Sequence, residues 1–229
     1  MNVNEQKQIR YSRQIVAFRD IFRSCFPQAS LQRLLVFGCG NGLEAAFAQQ
    51  ILNCQVCGVD VDQQFHPWAA ERANLCNYDG RRLNFPDGFF DALYSFHVLE
   101  HVENVAESVA EIRRVVKPGG FVYIGVPNKS RLVGYLGMND KSLFRKIKQN
   151  LKDIIKRVQG QWENELGAHA GFKEDELIRL LSPFFTQVFP VSSNYYAAKW
   201  QKHQKWLRLI EKISLDRLLF PAVYVVAAD

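Results

Sequence analysis

Three glycines at alternate positions and one later aspartate have the spacing of a nucleotide-binding site. Gly38, Gly40 and Gly42 directly follow the apolar run 34–37, which predicts a short buried parallel strand. Glycine lets the backbone turn sharply and approach a ligand, since no Cβ is in the way. Asp60 ends a second apolar run, where its carboxylate could accept hydrogen bonds from both hydroxyls of a ribose. The set predicts an adenosine-type nucleotide site on a doubly wound sheet.

The glycine spacing distinguishes two kinds of nucleotide. Folds that bind dinucleotides use G-x-G-x-x-G, in which the third glycine allows the helix to pack closely on the strand. In this chain the third glycine is Gly42 and Leu43 occupies the fingerprint position, so the pattern is G-x-G-x-G. The departure argues against NAD. A tight strand-to-helix turn without any ligand is the alternative at this point.

Further landmarks follow the glycine loop in a fixed order. They are Asp79-Gly80, the strand-like run 91–96, His97-Val98-Leu99-Glu100-His101-Val102, a helical stretch ending at Lys117-Pro118-Gly119-Gly120, and the strand 121–126. This ordered set resembles the class I S-adenosylmethionine-dependent methyltransferases, in particular the type 11 group that includes the quinone-pathway enzymes. The resemblance covers residues 34–127, and more loosely the later run 169–172.

The resemblance implies a role for each residue that matches the family. Asp60 would bind the ribose diol, and the glycine loop would pass beneath the ribose and methionine portions of S-adenosylmethionine. Asp79 would accept a hydrogen bond from the adenine amino group, with Gly80 leaving room beside the ring; a plain turn at Asp79 is the alternative. Phe96 and His97 would lie near the sulfonium. The implied cofactor-binding residues are Gly38, Cys39, Gly40, Asp60, Val61, Asp79, Gly80, Phe96 and His97.

One position departs from the family pattern. The family usually has an acidic residue two positions before the first glycine, and this chain has Val36. A carboxylate that helps to order the cofactor is therefore absent or supplied from elsewhere. The departure leaves open a catalytically silent family member that serves as a binding subunit.

The chemistry of methyl transfer indicates which residue to examine as a base. Transfer from a sulfonium is an in-line displacement in which the cofactor carries the reactivity, while the protein positions the acceptor and removes its proton. His97 is the candidate base, because an unperturbed imidazole titrates near neutrality. The alternative is that His97 only contacts the cofactor or caps the following helix.

A metal ion is a second possibility at the same place. His97, Glu100 and His101 have i, i+3, i+4 spacing, and together with His169 they resemble the metal ligands of some quinone-pathway and RNA-end methyltransferases. Those sites usually begin with a carboxylate where this chain has His97, and many relatives share Leu-Glu-His-Val without a metal. We therefore expect S-adenosylmethionine as the cofactor and keep Glu100, His101 and His169 as alternative ligands of a divalent metal.

Composition and patterning predict a cytoplasmic enzyme of one domain. The 229 residues are 48% hydrophobic and 13% aromatic, enough to bury a substantial core. Neither an apolar signal region nor a run near the roughly 20 residues that span a bilayer is apparent. The five cysteines are an odd number without the spacing of a disulfide framework, which favours reduced thiols. Cys54-x-x-Cys57 has no partner pair, so we interpret these two as small buried hydrophobes rather than a zinc or redox site.

The whole chain, 1–229, is expected to form a single methyltransferase domain in four parts. We predict a mostly parallel, Rossmann-like seven-stranded α/β sheet with helices on both faces and an antiparallel last strand. The parts are an N-terminal helical cap (1–33, with a helix over 4–26), a cofactor-binding core (34–127), an insertion or lid (128–171) and a C-terminal part (172–229). Strands are predicted near 34–37, 55–59, 74–77, 91–96, 121–126, 187–191 and 222–227, and a helix over 173–181.

Two basic segments lie in the parts expected to build the acceptor side. Over 141–158, basic residues alternate with apolar ones at three- and four-residue steps, which predicts an amphipathic helix. The segment 199–212 is basic and aromatic. The basic residues are interpretable as a solvated face of a helix packed on the core, or as a surface for an anionic membrane or lipid-linked substrate. The net charge of +6 also permits a nucleic-acid surface.

These observations predict methyl transfer from S-adenosylmethionine to an oxygen of a small-molecule, sugar-linked or lipid-linked acceptor. The alternatives are an RNA methyltransferase, an NAD-dependent oxidoreductase and a silent binding subunit. The missing third fingerprint glycine and the Asp79 region argue against the oxidoreductase. No Asn/Asp-Pro-Pro-Tyr loop follows the fourth strand, where 95–98 reads Ser-Phe-His-Val, which argues against DNA methyltransferases that act on exocyclic amines.

Overall fold

A computed structural model describes residues 3–62, 64–134, 142–164 and 169–229 of the chain. The strands are β1 Arg33–Phe37, β2 Gln55–Asp60, β3 Asn74–Asn77, β4 Phe90–Phe96, β5 Val116–Pro127, β6 Gln187–Pro190 and β7 Ala222–Ala228. The helices are α1 Val3–Cys25, α2 Leu43–Leu52, α3 Pro67–Ala70, α4 Val105–Val115, α5 Leu143–Val158, α6 Glu174–Leu181, α7 Ser192–Lys199, α8 Gln204–Lys212 and α9 Asp216–Leu219. Short 3₁₀ helices cover Leu99–His101 and Gln201–His203.

The seven strands form one mixed sheet in the order β3-β2-β1-β4-β5-β7-β6. Neighbours from β3 to β5 are parallel, and β7 is antiparallel to both β5 and β6. The direction in which strands are added reverses between β1 and β4, and open α/β sheets bind ligands at such a switch point. The predicted mostly parallel sheet with an antiparallel last strand is confirmed.

The first strand and the helix after it show how local sequence produces this pattern. β1 reads Arg-Leu-Leu-Val-Phe, and its four apolar residues are buried because helices cover both faces of the sheet. α2 is rich in alanine and leucine, which favour helix. It begins after Gly42 and ends before Asn53, whose φ of 52° lies in the left-handed region typical of helix ends.

Two apolar layers cover opposite faces of the sheet. Successive side chains of a strand point to opposite faces, so Leu93 and Tyr94 of β4 belong to different layers. The layer with Tyr94 packs against α1, α2 and α7, and the layer with Leu93 packs against α4 and α6. This division places the loops at the strand ends between the two helical layers, where a ligand can reach the sheet edge.

The predicted N-terminal helix is present as α1 and packs on the sheet through Phe18. The ring centroid of Phe18 lies 5.4 Å from that of Tyr94 and 5.6 Å from that of Tyr123. Full burial of a phenylalanine contributes about 1.5–3 kcal/mol, so α1 is an integral part of the fold. Tyr11, on an earlier turn, stacks on Phe47 of α2 at 6.3 Å.

The start of β5 differs from the sequence prediction. Helix α4 ends at Val115, and Val116 already pairs with Phe90 of β4, so 117–120 lies within β5 rather than at a helix end. The register shifts between Phe90 and Ala92, which marks an irregularity that accommodates the proline and the two glycines. The prediction that the helix ends at 117–120 was therefore wrong: the helix ends at Val115, and 117–120 belongs to the irregular start of β5.

Candidate functional site

The residues predicted to bind the cofactor converge at one edge of the sheet. Strands β1, β2 and β4 are parallel, with Phe37 in register with Val59 on one side and Ser95 on the other. The loops that follow these strands therefore lie side by side at the carboxyl edge, next to the switch point. This is the position at which doubly wound sheets bind ligands.

The loop between β1 and α2 is a tight turn with an open face. Gly38, Gly40 and Gly42 have φ angles of 74°, 54° and 83°, in the region that residues with a Cβ avoid. The backbone nitrogens of Gly38 and Cys39 both donate to the carbonyl of Val59 at 2.9 Å. A Cβ on Gly40 would meet no atom within 4 Å, so its backbone faces open space that a ligand can enter.

The side chain of Cys39 points away from that open face into the core. A Cβ placed on Gly58 of β2 would lie 2.9 Å from the Cys39 sulfur. Burial, reinforced by the nearby charge of Asp60, raises the pKa of the Cys39 thiol to about 12. A protonated thiol is a poor nucleophile, so the contribution of Cys39 to the site is limited to its main chain.

Asp60, at the end of β2, connects two backbone segments that border the open space. Its Oδ2 accepts a 2.5 Å hydrogen bond from the nitrogen of Gly40, and its Oδ1 accepts one of 2.9 Å from the nitrogen of Asp62. A carboxylate offers about four lone-pair positions, so Asp60 can hold the loop and still accept bonds from a ribose. Sequence reasoning had assigned only the second of these roles.

The residues expected around adenine lie together beyond the end of β2. Val61 is 61% exposed, and its Cγ1 would be 3.6 Å from a Cβ on Gly80. Asp79 Oδ1 accepts hydrogen bonds from the nitrogens of Arg81 at 2.8 Å and Arg82 at 2.9 Å. These bonds lower the pKa of the Asp79 carboxyl. Asp79 therefore closes a turn, and its contact with adenine stays a prediction.

The position that departs from the family pattern is enclosed in the sheet. Val36 is buried and lies in register between Gly58 and Tyr94. A carboxylate nearby in the chain, Glu44 in the first turn of α2, accepts a 2.8 Å hydrogen bond from the Tyr94 hydroxyl inside the core. Glu44 was missed by sequence reasoning, since nothing in its spacing distinguishes it from an exposed first-turn glutamate.

The end of β4 carries a histidine paired with a buried glutamate. His97 has a left-handed φ of 58°, and its nitrogen donates to the carbonyl of Gly125 at 2.8 Å. Its Nδ1 lies 3.4 Å from Oε1 of Glu100, whose side chain is 1% exposed, whereas that of His97 is 38% exposed. The ring of Phe96 packs edge-on against the imidazole at 4.1 Å. A carboxylate at Nδ1 favours the tautomer with the proton there, which leaves Nε2 as an acceptor.

The other two histidines of interest lie beside this pair. Oε1 of Glu100 is 3.9 Å from Nε2 of His101, and the rings of His101 and His169 are 4.7 Å apart, edge to face. Burial, together with the charge of His101, lowers the pKa of His169. The chain thus brings together all four residues that the sequence grouped. Within the described ranges, however, no three His, Cys, Asp or Glu side chains are arranged to hold a metal ion.

A buried arginine links the insertion to the histidine group. Arg131 Nη1 donates to the carbonyls of Asn128 and Ala170, both at 3.0 Å, and its Nη2 donates to the carbonyl of His169 at 3.2 Å. The same Nη2 lies 3.6 Å from Asp153 of α5. Arg131 therefore fixes the backbone of His169 and attaches α5 to it. Its role was not predictable, because its partners Asp153, His169 and Ala170 are distant in sequence.

The opposite edge of the sheet has a groove of about 460 Å³ at the starts of β1, β2 and β3. Cys57 in this groove accepts a 3.6 Å contact from the amide of Asn74, and burial raises its thiol pKa. All five cysteines are free thiols. The groove is lined by strand starts and lies away from the glycine loop, so we place the site at the carboxyl edge.

Comparison with known proteins shows which family and which solved structures the chain is similar to. Residues 35–124 match the family described as "Methyltransferase domain". The chain is similar to a ubiquinone biosynthesis O-methyltransferase of Thiobacillus denitrificans, with 25% identity over 178 residues that cover 71% of this chain and 74% of that protein. It is also similar to an uncharacterized 37.1 kDa protein in a transposon of Streptomyces fradiae, with 29% identity over 160 residues, 66% of this chain. This chain spans only 46% of the length of the Streptomyces relative.

The same fold occurs in solved structures. One is an S-adenosylmethionine-dependent methyltransferase from Mesorhizobium loti, with a TM-score of 0.56 and 17% identity over 93% of this chain and 98% of that one. Over residues 35–124 the chain is similar to the methyltransferase-domain family, and its fold is that of S-adenosylmethionine-dependent methyltransferases. The open face of Gly40 beside the Asp60 carboxylate offers room and hydrogen-bond acceptors for the ribose of S-adenosyl-L-methionine, the cofactor that the sequence predicts. Among the described helices, none has the length and apolar character needed to cross a membrane.

Proposed function

We propose that the chain transfers the methyl group of S-adenosylmethionine to an oxygen of a small-molecule acceptor, with His97 as the general base. The observation that carries this proposal is the pairing of His97 Nδ1 with the buried Glu100 carboxylate at 3.4 Å, at the end of β4. A partly exposed imidazole beside a buried carboxylate is suited to general-base catalysis, because the carboxylate orients the ring and stabilises the imidazolium.

The cofactor would be held by main chain on one side and by Asp60 on the other. Gly38 to Gly40 would contact the methionine and ribose portions, and Asp60 would accept hydrogen bonds from the ribose hydroxyls. Val61 and Gly80 would border the adenine. S-adenosylmethionine, when bound, supplies a methyl group on a positively charged sulfur, and its departure leaves a neutral thioether.

The proton of the acceptor would leave through His97. Nε2 would accept the proton of the acceptor hydroxyl as that oxygen becomes methylated. The imidazolium that results lies beside the Glu100 carboxylate, which stabilises its charge. The barrier is lowered further by holding acceptor and methyl group in line.

An oxygen acceptor and a lid formed by the insertion extend this proposal. The Thiobacillus relative carries the name of an O-methyltransferase, which supports oxygen as the methylated atom. Arg131 joins the start of the insertion to the carbonyl of His169 near its end, and the His169 ring lies 4.7 Å from that of His101 in the core, so these parts of the insertion would border the acceptor side. The insertion would in this way select the acceptor, while the core binds the cofactor.

The first experiment tests cofactor and catalysis separately. Calorimetry with S-adenosylhomocysteine and with NAD should show binding of the former alone. Incubation with methyl-labelled S-adenosylmethionine and a small-molecule extract, followed by untargeted mass spectrometry, should then reveal a labelled product. Binding of NAD in place of S-adenosylhomocysteine would contradict the proposed cofactor.

A matched pair of variants tests the base. We expect His97→Asn to lower turnover by about 10²–10⁴-fold while affinity for S-adenosylhomocysteine changes little. The control, His203→Asn, alters an exposed histidine of the 3₁₀ helix before α8 and should retain full turnover. Equal turnover in the two variants would show that His97 is not the base.

A further inference from the structure

Helix α5 is attached to the protein by its polar side. The Asn150 side chain accepts a 2.7 Å hydrogen bond from the nitrogen of Gly134 and donates to its carbonyl at 3.2 Å. One turn further on, Asp153 is buried and faces Arg131 at 3.6 Å. Amphipathic helices usually pack their apolar stripe on the core. The prediction that the apolar stripe of α5 packs on the core is therefore wrong, whereas basic residues of the helix are exposed to solvent as expected.

The apolar side of α5 is exposed as a result of this attachment. Its seven large apolar side chains recur at three- and four-residue steps, which places them on one face. Each is between 48% and 84% exposed. Single exposed apolar residues are ordinary, but a continuous apolar face of this length marks an interaction surface. These residues are Leu143, Phe144, Ile147, Leu151, Ile154, Ile155 and Val158.

The charges on α5 are of one sign wherever they face outward. Arg145, Lys148 and Lys152 are exposed and adjoin the apolar face. Asp153, the one carboxylate in the sequence of this helix, is turned inward against Arg131. The surface of α5 therefore combines an apolar stripe with positive charge and presents no negative charge outward.

We propose that the exposed face of α5 lies on an anionic membrane surface. An interfacial helix of this kind buries its apolar residues at the boundary of headgroups and acyl chains, while its basic residues contact anionic headgroups. Sixteen residues give α5 a length of about 24 Å, enough to lie flat on the surface over four turns. The surface is complementary in charge to an anionic membrane. A second copy of the chain fits less well, because pairing two α5 faces would bring Arg145, Lys148 and Lys152 close to their own equivalents.

The test measures binding of the whole chain to vesicles by co-sedimentation. Phosphatidylcholine vesicles that contain phosphatidylglycerol should sediment the protein at low salt, and added salt should weaken this binding because it screens the attraction. Vesicles of phosphatidylcholine alone should bind much less. No sedimentation with the anionic vesicles at low salt would overturn the proposal.

Three double variants separate the two components of the surface. Phe144→Gln with Leu151→Gln removes apolar contact while keeping residues that favour helix, and Lys148→Glu with Lys152→Glu reverses charge. We expect each pair to weaken vesicle binding by about tenfold or more, since every basic residue near an anionic surface contributes roughly fivefold. The control, Arg13→Glu with Arg23→Glu on exposed positions of α1, makes the same change in net charge and should bind within about twofold of wild type.

Comparison of these variants shows whether the α5 face binds a membrane, nucleic acid or a second copy of the chain. Equal weakening by the α1 control and the Lys148/Lys152 pair would show that net charge, not α5, determines binding, and would overturn the proposal. Unchanged binding in the Phe144/Leu151 pair would do the same, because a purely electrostatic surface, as for nucleic acid, does not need the apolar face. Sedimentation velocity should show a monomer. A dimer abolished by Phe144→Gln with Leu151→Gln would replace the membrane by a second copy.

Discussion

The backbone nitrogen of Gly40 donates a 2.5 Å hydrogen bond to Oδ2 of Asp60, which joins the glycine loop to the end of β2. The other oxygen of the same carboxylate accepts from Asp62 at 2.9 Å. Asp60 thus orders both segments that border the open face of Gly40. Asp60, which is proposed to bind the ribose, also holds the glycine loop in place. Its removal should therefore both eliminate the ribose hydrogen bonds and loosen the loop.

The first prediction concerns this aspartate. We expect Asp60→Ala to weaken binding of S-adenosylhomocysteine by about 1.5–3 kcal/mol, or roughly ten- to a hundredfold, because charge-assisted hydrogen bonds to ribose are lost. Asp60→Asn keeps one carbonyl acceptor and should lose less. Calorimetry measures both, with Asp175→Ala, an exposed carboxylate on α6, as the control. Equal affinity in Asp60→Ala and Asp175→Ala would remove Asp60 from the site.

The strand pattern of this fold could be predicted because its signals are local. Apolar runs such as 34–37 and 222–227 are short and too brief for a helix, and they become β1 and β7 with shifts of one residue. The start of β5 was not predictable in the same way. Val116 joins the sheet by pairing with Phe90, a contact that neither residue signals in its own neighbourhood.

In the candidate site, too, some features could be predicted from the sequence and others could not. The glycine loop, Asp60 and His97 lie at strand ends, so sequence order alone places them at one edge of the sheet. The orientation of α5 could not be predicted, since amphipathic spacing defines two faces without saying which one turns inward. The hydrogen bond of Asn150 with Gly134 and the ion pair of Asp153 with Arg131 determine which face of α5 turns inward.

The second prediction concerns the partner of the proposed base. Glu100→Gln removes the negative charge beside His97 Nδ1 but keeps the size of the side chain, so the imidazolium loses its stabilisation. We expect turnover to fall by about 10²-fold or more, with little change in the affinity for S-adenosylhomocysteine. Steady-state kinetics and calorimetry measure the two effects. Glu103→Gln, at an exposed position three residues later, is the control. A parallel loss of cofactor affinity would indicate a structural rather than a positioning role.

The third prediction concerns stability at Arg131. Arg131→Met removes the guanidinium that faces the buried Asp153 carboxylate and donates to the carbonyls of Ala170 and His169, so we expect a loss of about 3–5 kcal/mol in unfolding free energy. The double variant Arg131→Met with Asp153→Asn should recover part of that loss, because the buried negative charge is then removed together with its cation. Urea unfolding measures all variants. Arg179→Met breaks the exposed pair with Asp175 and should cost only about 0–1 kcal/mol. A cost at Arg131 as small as at Arg179 would contradict the assigned role.

The fourth prediction compares two glycines with left-handed backbones. Gly171 has a φ of 80°, and a Cβ there would lie 1.8 Å from the carbonyl oxygen of Pro127. Gly160 has a φ of 68°, with no atom within 4 Å of such a Cβ. We expect Gly160→Ala to cost about 1–2 kcal/mol for the backbone conformation alone, and Gly171→Ala to cost about 4 kcal/mol or more. Urea unfolding checks the difference. Similar costs would show that the close approach of Gly171 to Pro127 is unimportant.

The fifth prediction concerns the pH dependence of stability at His169. Burial and the neighbouring His101 lower its pKa below the ordinary value of 6.5, so the unfolded chain binds the proton more readily than the folded one. Stability is therefore fully present above about pH 6.5 and decreases as the pH falls toward the lower folded pKa. His169→Asn removes this titration while tolerating the left-handed φ of 48°, since asparagine visits that region.

Urea unfolding of wild type and His169→Asn between about pH 8 and pH 5 measures this linkage. We expect the two proteins to differ in how steeply stability declines below about pH 6.5, with the shallower decline in the variant. Carboxyl groups such as Asp91 and Glu111, whose pKa values are also lowered, titrate in more acid solution and act equally in both proteins. His203→Asn, at an exposed position, should keep the wild-type profile. Identical slopes in wild type and His169→Asn would show that the surroundings of His169 do not favour its neutral form.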